Sequence, residues 1–158
     1  MNKDYILVLI DLQEDFIGGV FGEEQVISNC TKAITKAIDD NRPIIIVEYE
    51  DSGPTIPAIF NALKKYNNYY IVEKYDCDGS KEICRFLLNN GDKLVFKTLK
   101  FGGVYTNECV ADTVLGLLDY FNSIQLKIIE SACGAASKER HEAGIERLKD
   151  FGVKIVKS

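Results

Sequence analysis

Histidine is almost missing from this sequence: His141 is the only one in 158 residues. It lies in Ser137-Lys138-Glu139-Arg140-His141-Glu142, the charged opening of a helix, where a surface position is the natural reading. Neither a Cys–His dyad nor a Ser–His–Asp triad is therefore expected. A basic excess is lacking as well. Nineteen Lys and Arg against 24 Asp and Glu give a formal charge of −5, with the basic residues scattered beside acids. That balance disfavours a nucleic-acid partner or an acidic membrane surface. The N-terminal apolar run Tyr5-Ile6-Leu7-Val8-Leu9-Ile10 is too short for a membrane span or a secretory signal, and Asp11 interrupts it. Close cysteine pairs are absent too. Cys30, Cys77, Cys84, Cys109 and Cys133 are odd in number and widely spaced, unlike a secreted disulfide scaffold or a zinc framework. A reduced, cytoplasmic setting is the expectation. No repeat, linker or low-complexity tract interrupts residues 1–158, so one domain with one core is expected.

What is present is an alternation of strands and helices. Residues 5–10 read as a strand buried on both faces, ending in the polar cluster Asp11-Leu12-Gln13-Glu14-Asp15-Phe16. A helix over 24–40 follows, stopped by Asn41-Arg42-Pro43. Further strands are expected at 44–47, 69–73, 94–101, 123–130 and 152–156, with helices at 57–66, 79–89, from Thr106 onward, and from the Ser137 cap to about 150. Short joins between alternating elements predict a doubly wound α/β sheet of six mostly parallel strands, with helices on both faces.

The chain is organised around Gly102-Gly103-Val104-Tyr105-Thr106-Asn107-Glu108-Cys109-Val110. It reads as a strand end, a glycine turn and a helix start, with Thr106 as N-cap. Cys109 then falls in the first helical turn, where free N–H groups and the helix dipole favour a thiolate. The competing reading is a small core cysteine that packs like alanine. Ligands of open parallel sheets bind beyond the carboxyl ends of strands, where strand order reverses. Asp11 after strand one, Lys74 after strand three and Cys109 after strand four share that rim. A carboxylate can take the thiol proton, and an ammonium can stabilise the resulting ion pair. Taken singly, Asp11 also reads as a loop-capping acid and Lys74 as a solvated surface residue.

Three stretches carry a family resemblance. Leu7-Val8-Leu9-Ile10-Asp11-Leu12-Gln13-Glu14-Asp15-Phe16, Ile71-Val72-Glu73-Lys74 and Gly103-Val104-Tyr105-Thr106-Asn107-Glu108-Cys109-Val110 resemble the opening strand, the lysine strand and the nucleophile turn of isochorismatase-like cysteine hydrolases. The resemblance implies an isochorismatase-like fold, with Asp11 as base, Lys74 as its cationic partner and Cys109 as nucleophile. It also implies a non-proline cis peptide between Val104 and Tyr105, aiming the Tyr105 and Cys109 N–H groups into one oxyanion hole. Cleavage of a C–N bond in a small amide through a thioester is the implied reaction, and a homo-oligomer the implied assembly. Phe16 and Tyr105 are placed as walls of a small flat pocket. Gln13 either orients Asp11 or a ligand there, or is a loop residue bonded to backbone.

Some positions depart from the family pattern. Glu48-Tyr49-Glu50-Asp51-Ser52 contains none of the histidine of the nicotinamidase-like metal cluster, so neither a metal nor another cofactor is expected. The phenylalanine usual after the lysine is replaced around Cys77, and Ser131 stands where strand five usually ends in aspartate. Cys133 is read as a packed small residue on the same rim. A catalytically silent binding or assembly protein is the alternative these changes keep open. A phosphoryl-accepting receiver domain fits poorly, because Lys74 occupies the position where a receiver needs aspartate.

Overall fold

The computed structural model describes residues 4–157. Strands β1 (Tyr5–Ile10), β2 (Ile44–Tyr49), β3 (Tyr69–Lys74), β4 (Thr98–Val104), β5 (Gln125–Gly134) and β6 (Lys154–Val156) form one sheet in the order β3-β2-β1-β4-β5-β6. Every pairing is parallel. The helices are α1 (Glu14–Ile17), α2 (Glu23–Asp39), α3 (Pro57–Leu63), α4 (Ser80–Asn89), α5 (Ala111–Leu117) and α6 (Lys138–Asp150). A π-helical turn, Thr106–Val110, leads into α5.

The unbroken apolar run of β1 has a direct cause. Successive side chains of a strand point to opposite faces. Ile6, Val8 and Ile10 enter the core shared with α4, α5 and α6, whereas Tyr5, Leu7 and Leu9 enter the core shared with α2 and α3. Both faces are covered, so all six residues are buried. The chain moves outward from β1 through β2 to β3 and then returns to lay β4 along the other side of β1. The crevice above β1 and β4 is therefore the switch point of the sheet. Among the described residues no helix is long and apolar enough to cross a membrane.

The largest departures from the sequence reading are in β4 and β5. β4 begins at Thr98 rather than 94, because the N–H groups of Lys93 and Leu94 continue the turn closing α4 by bonding Asn90 O. It then extends through Gly102-Gly103-Val104, where the helix start was expected to be approached by a turn. β5 runs to Gly134, so Ser131 lies within the strand and not at its end. Cys133 pairs with Gly103 and Gly134 with Val104, after a register shift at Phe101/Gly103. Small residues allow this close pairing, a Cβ at Gly102 standing 3.2 Å from Ala132. On the β1 side Gly103 has φ +125°, and an added Cβ would drive into the Ile10 carbonyl oxygen.

Gly103→Ala is expected to cost about 3 kcal/mol or more, since both the dihedral and the backbone contact oppose a side chain. Urea unfolding measures it; an unchanged midpoint would contradict this account of the β1–β4 seam.

Candidate active site

Asp11 leaves β1 with φ +55°, a left-handed conformation that Asp tolerates better than most residues. Its N–H still donates to Val47 O at 3.0 Å, so the turn is tied to β2. The carboxyl group is 1 % exposed. Lys74 is the last residue of β3, two strands away, and reaches across β2 to meet it. The Nζ–Oδ2 distance is 3.0 Å, and the lysine side chain is wholly buried. The surface reading of Lys74 is thereby excluded. Nζ also donates to Asp76 O at 3.0 Å and Cys77 O at 2.8 Å, and lies 4.3 Å from the centroid of the Tyr49 ring. Desolvating two charges costs several kcal/mol per ion, which the close contact, two carbonyls and an aromatic face here offset.

Cys109 sits in the π-helical turn, half-buried. The turn is anchored by Tyr105 O, which accepts from the N–H groups of Glu108 and Val110 at 3.1 Å each. The peptide joining Val104 to Tyr105 is cis. Thr106 does not cap the helix: no side-chain cap bond forms, and its buried hydroxyl lies 2.7 Å from His141 Nδ1. His141 is thus half-buried and tied to the Cys109 turn from behind, with burial pushing its pKa down, rather than lying free on the surface.

The protonation states differ from the sequence expectation. Burial raises the Asp11 pKa, while Lys74 and the Cys109 thiol pull it back. Lys74 Nζ stands 3.0 Å from Oδ2, and the Cys109 thiol bears on the same carboxylate. Burial pushes the Cys109 thiol far up, the neighbouring carboxylate pushes it further, and Lys74 only partly opposes them. Burial and the neighbouring carboxylate thus both favour the thiol form of Cys109.

The aromatic residues converge. Phe16 lies 6.3 Å from Tyr105, edge-on, and 6.1 Å from Tyr49, while Tyr105 Oη donates to Phe16 O at 2.7 Å. Tyr49 was not legible as a site residue; its place at the end of β2, between the strands carrying Asp11 and Lys74, was the available signal. Gln13 serves a different purpose from the pocket role. Its Nε2 donates to Tyr49 O at 2.9 Å and Gly53 O at 2.8 Å, and its Oε1 accepts from Tyr49 N at 2.7 Å. The amide is committed to backbone and braces the β2 exit, as the loop-residue reading had it. Ser131 is exposed, with its hydroxyl donating to Lys157 O at 3.2 Å. Cys133 is buried in β5, packed as a small residue.

The Isochorismatase domain model matches residues 5–158. The chain belongs to the isochorismatase family. Its curated relatives include isochorismatase family protein 2A of Dictyostelium discoideum, 22 % identical over 158 residues, covering 96 % of this chain and 77 % of that protein. Among solved structures, the Escherichia coli YcaC gene product, described as an octameric hydrolase of unknown specificity, superposes with a TM-score of 0.82 at 18 % identity, covering 99 % of this chain and 76 % of that one. The pyrazinamidase of Pyrococcus horikoshii, in complex with zinc, gives a TM-score of 0.78 at 21 % identity over 98 % of this chain and 99 % of that one. These likenesses establish the fold, and the family is in general one of hydrolases.

Zinc does not fit this chain's crevice. Glu48, the acid at the end of β2, is spent on Thr55, accepting from its N–H at 3.0 Å and its hydroxyl at 2.7 Å. Among the described residues no group of three or more His, Cys, Asp and Glu could hold a metal ion.

Lys74→Met leaves the Asp11 charge buried without its partner and is expected to cost about 3–5 kcal/mol, whereas the double variant Asp11→Leu/Lys74→Met regains most of that loss. Chemical unfolding of the single and double variants measures both; a Lys74→Met protein as stable as wild type would contradict the buried pairing.

Proposed function

We propose that this protein is a metal-independent cysteine hydrolase that cleaves the C–N bond of a small amide through a thioester on Cys109. The observation that carries the reading is the buried Asp11–Lys74 pair, 3.0 Å apart at the switch point that also holds the Cys109 turn. Asp11 takes the thiol proton as sulfur attacks the carbonyl carbon, which suits a thiol that stays protonated at rest beside an ionised carboxylate. Lys74 keeps Asp11 ionised and fixed. The tetrahedral oxyanion is received by the Tyr105 and Cys109 N–H groups. Collapse expels the amine with the proton returned from Asp11. The same carboxylate then activates the water that releases the acid. Phe16, Tyr49 and Tyr105 favour a small, flat acyl group. The octameric neighbour supports a homo-oligomer as the working assembly.

A panel of small aromatic and aliphatic primary amides, followed by ammonia release and intact mass, tests the proposal. An acyl adduct on Cys109 is expected, and Cys109→Ala or Asp11→Asn should lower turnover by at least about a thousand-fold. Amide turnover that survives Cys109→Ala would refute the mechanism; no adduct and no turnover across the panel would favour the silent assembly protein. The pH profile has a defined sign. The base works only when ionised, and burial raises the Asp11 pKa. Activity must therefore fall on acidification at a pH above the ordinary carboxylate range. An acid limb at or below that range would count against Asp11 as the base.

A further inference from the structure

We infer that Cys77 and Cys109 constitute a reversible dithiol site that takes low-molecular-weight disulfides of the glutathione type and closes to an internal disulfide. The two sulfurs stand 3.2 Å apart although the residues are 32 positions apart in sequence. A disulfide needs about 2.05 Å between sulfurs, so roughly 1 Å of approach completes the bond.

The approach of Cys77 is fixed by its backbone. Its N–H donates to Asp76 Oδ1 at 2.8 Å, and its carbonyl accepts from Lys74 Nζ at 2.8 Å and from the Thr113 hydroxyl at 3.3 Å. The Thr113 hydroxyl in turn accepts from Gly79 N at 2.9 Å. The loop is close-packed: a Cβ at Gly79 would stand 2.8 Å from Lys74 Cδ. The contacts that seat the lysine therefore also hold a second sulfur against the first.

Accessibility separates this pair from the remaining cysteines. Cys77 and Cys109 are half-exposed, whereas Cys30, Cys84 and Cys133 are buried. Cys30 and Cys133 point their sulfurs at the carbonyls of Ala132 and Phe101. A small disulfide reaches the first pair and not the others.

The exchange balances in two displacements. Asp11 takes the Cys109 proton, and the sulfur attacks one sulfur of the incoming disulfide. The S–S bond of the reagent breaks, and its first thiolate leaves and is protonated. Cys77 then loses its proton and attacks the mixed disulfide at the Cys109 sulfur, expelling the second thiolate. Two protein thiols are oxidised by two electrons, and one disulfide is reduced to two thiols. The product has no free sulfur at position 109, so acyl chemistry there stops until excess thiol reverses the exchange. This inference rests on the placement of the two sulfurs and not on the hydrolase reading.

The full chain is equilibrated in buffers of rising oxidised-to-reduced glutathione ratio, quenched with acid, denatured, alkylated with maleimide and mapped without reduction. The expected result is a peptide linked through Cys77 and Cys109, with two fewer maleimide adducts than the five of the reduced chain. Cys77→Ser should halt at a glutathione adduct on Cys109 with no internal bond. Five adducts at every ratio would overturn the inference. So would a wild-type chain that stops at the mixed disulfide, or an internal bond involving Cys30, Cys84 or Cys133. The map requires no substrate, so its failure and a failure of amide hydrolysis are separate results.

Discussion

Two opposite charges, Asp11 and Lys74, meet at 3.0 Å with almost no contact with water, and the crevice is built to make that tolerable. A pair so placed loses its hydration, and in a low-dielectric setting neither partner can be left alone. The compensation is drawn from several elements. β1 supplies the carboxylate, β3 the ammonium, β2 the Tyr49 face, and the loop after β3 two carbonyls. Thr113 on α5 secures that loop by bonding Gly79 and Cys77. The interaction that most needs neighbours thus links three adjacent strands to the helix behind the Cys109 turn. Its chemical consequence is a carboxylate held beside a thiol.

The order of elements was readable because buried parallel strands announce themselves as apolar runs, and because Asp11, Lys74 and Cys109 each stand at a strand's carboxyl end. Contacts between side chains of distant elements are not encoded in spacing. Nothing along the chain marks Cys77 as the neighbour of Cys109 or His141 as the partner of Thr106, and Tyr49 is signalled only by its place at the end of β2. Ala132-Cys133-Gly134 reads as loop by composition, yet small residues are what a strand must carry to lie along the glycines of β4. The thiol depends on a balance of magnitudes that spacing does not carry. A helix-start effect is of the order of 1 kcal/mol, whereas burial of a sulfur anion costs more.

At about one residue in five identical, the relatives share this chain's sheet. At the end of β2 in this chain an acid is bonded to Thr55, and the loop after Lys74 brings the Cys77 sulfur against that of Cys109. A common frame with altered side chains at its switch point is how one fold serves different small molecules.

The central claim is that Asp11, Lys74 and Cys109 act as one electrostatic unit. Carboxyl-carbon NMR titration of Asp11 in the wild-type, Lys74→Met and Cys109→Ala proteins tests it most directly. Burial raises the Asp11 pKa while Lys74 and the thiol lower it, so the account predicts a midpoint above the ordinary range in the wild type and a further rise in each variant, larger for Lys74→Met. An ordinary midpoint that neither substitution moves would contradict it.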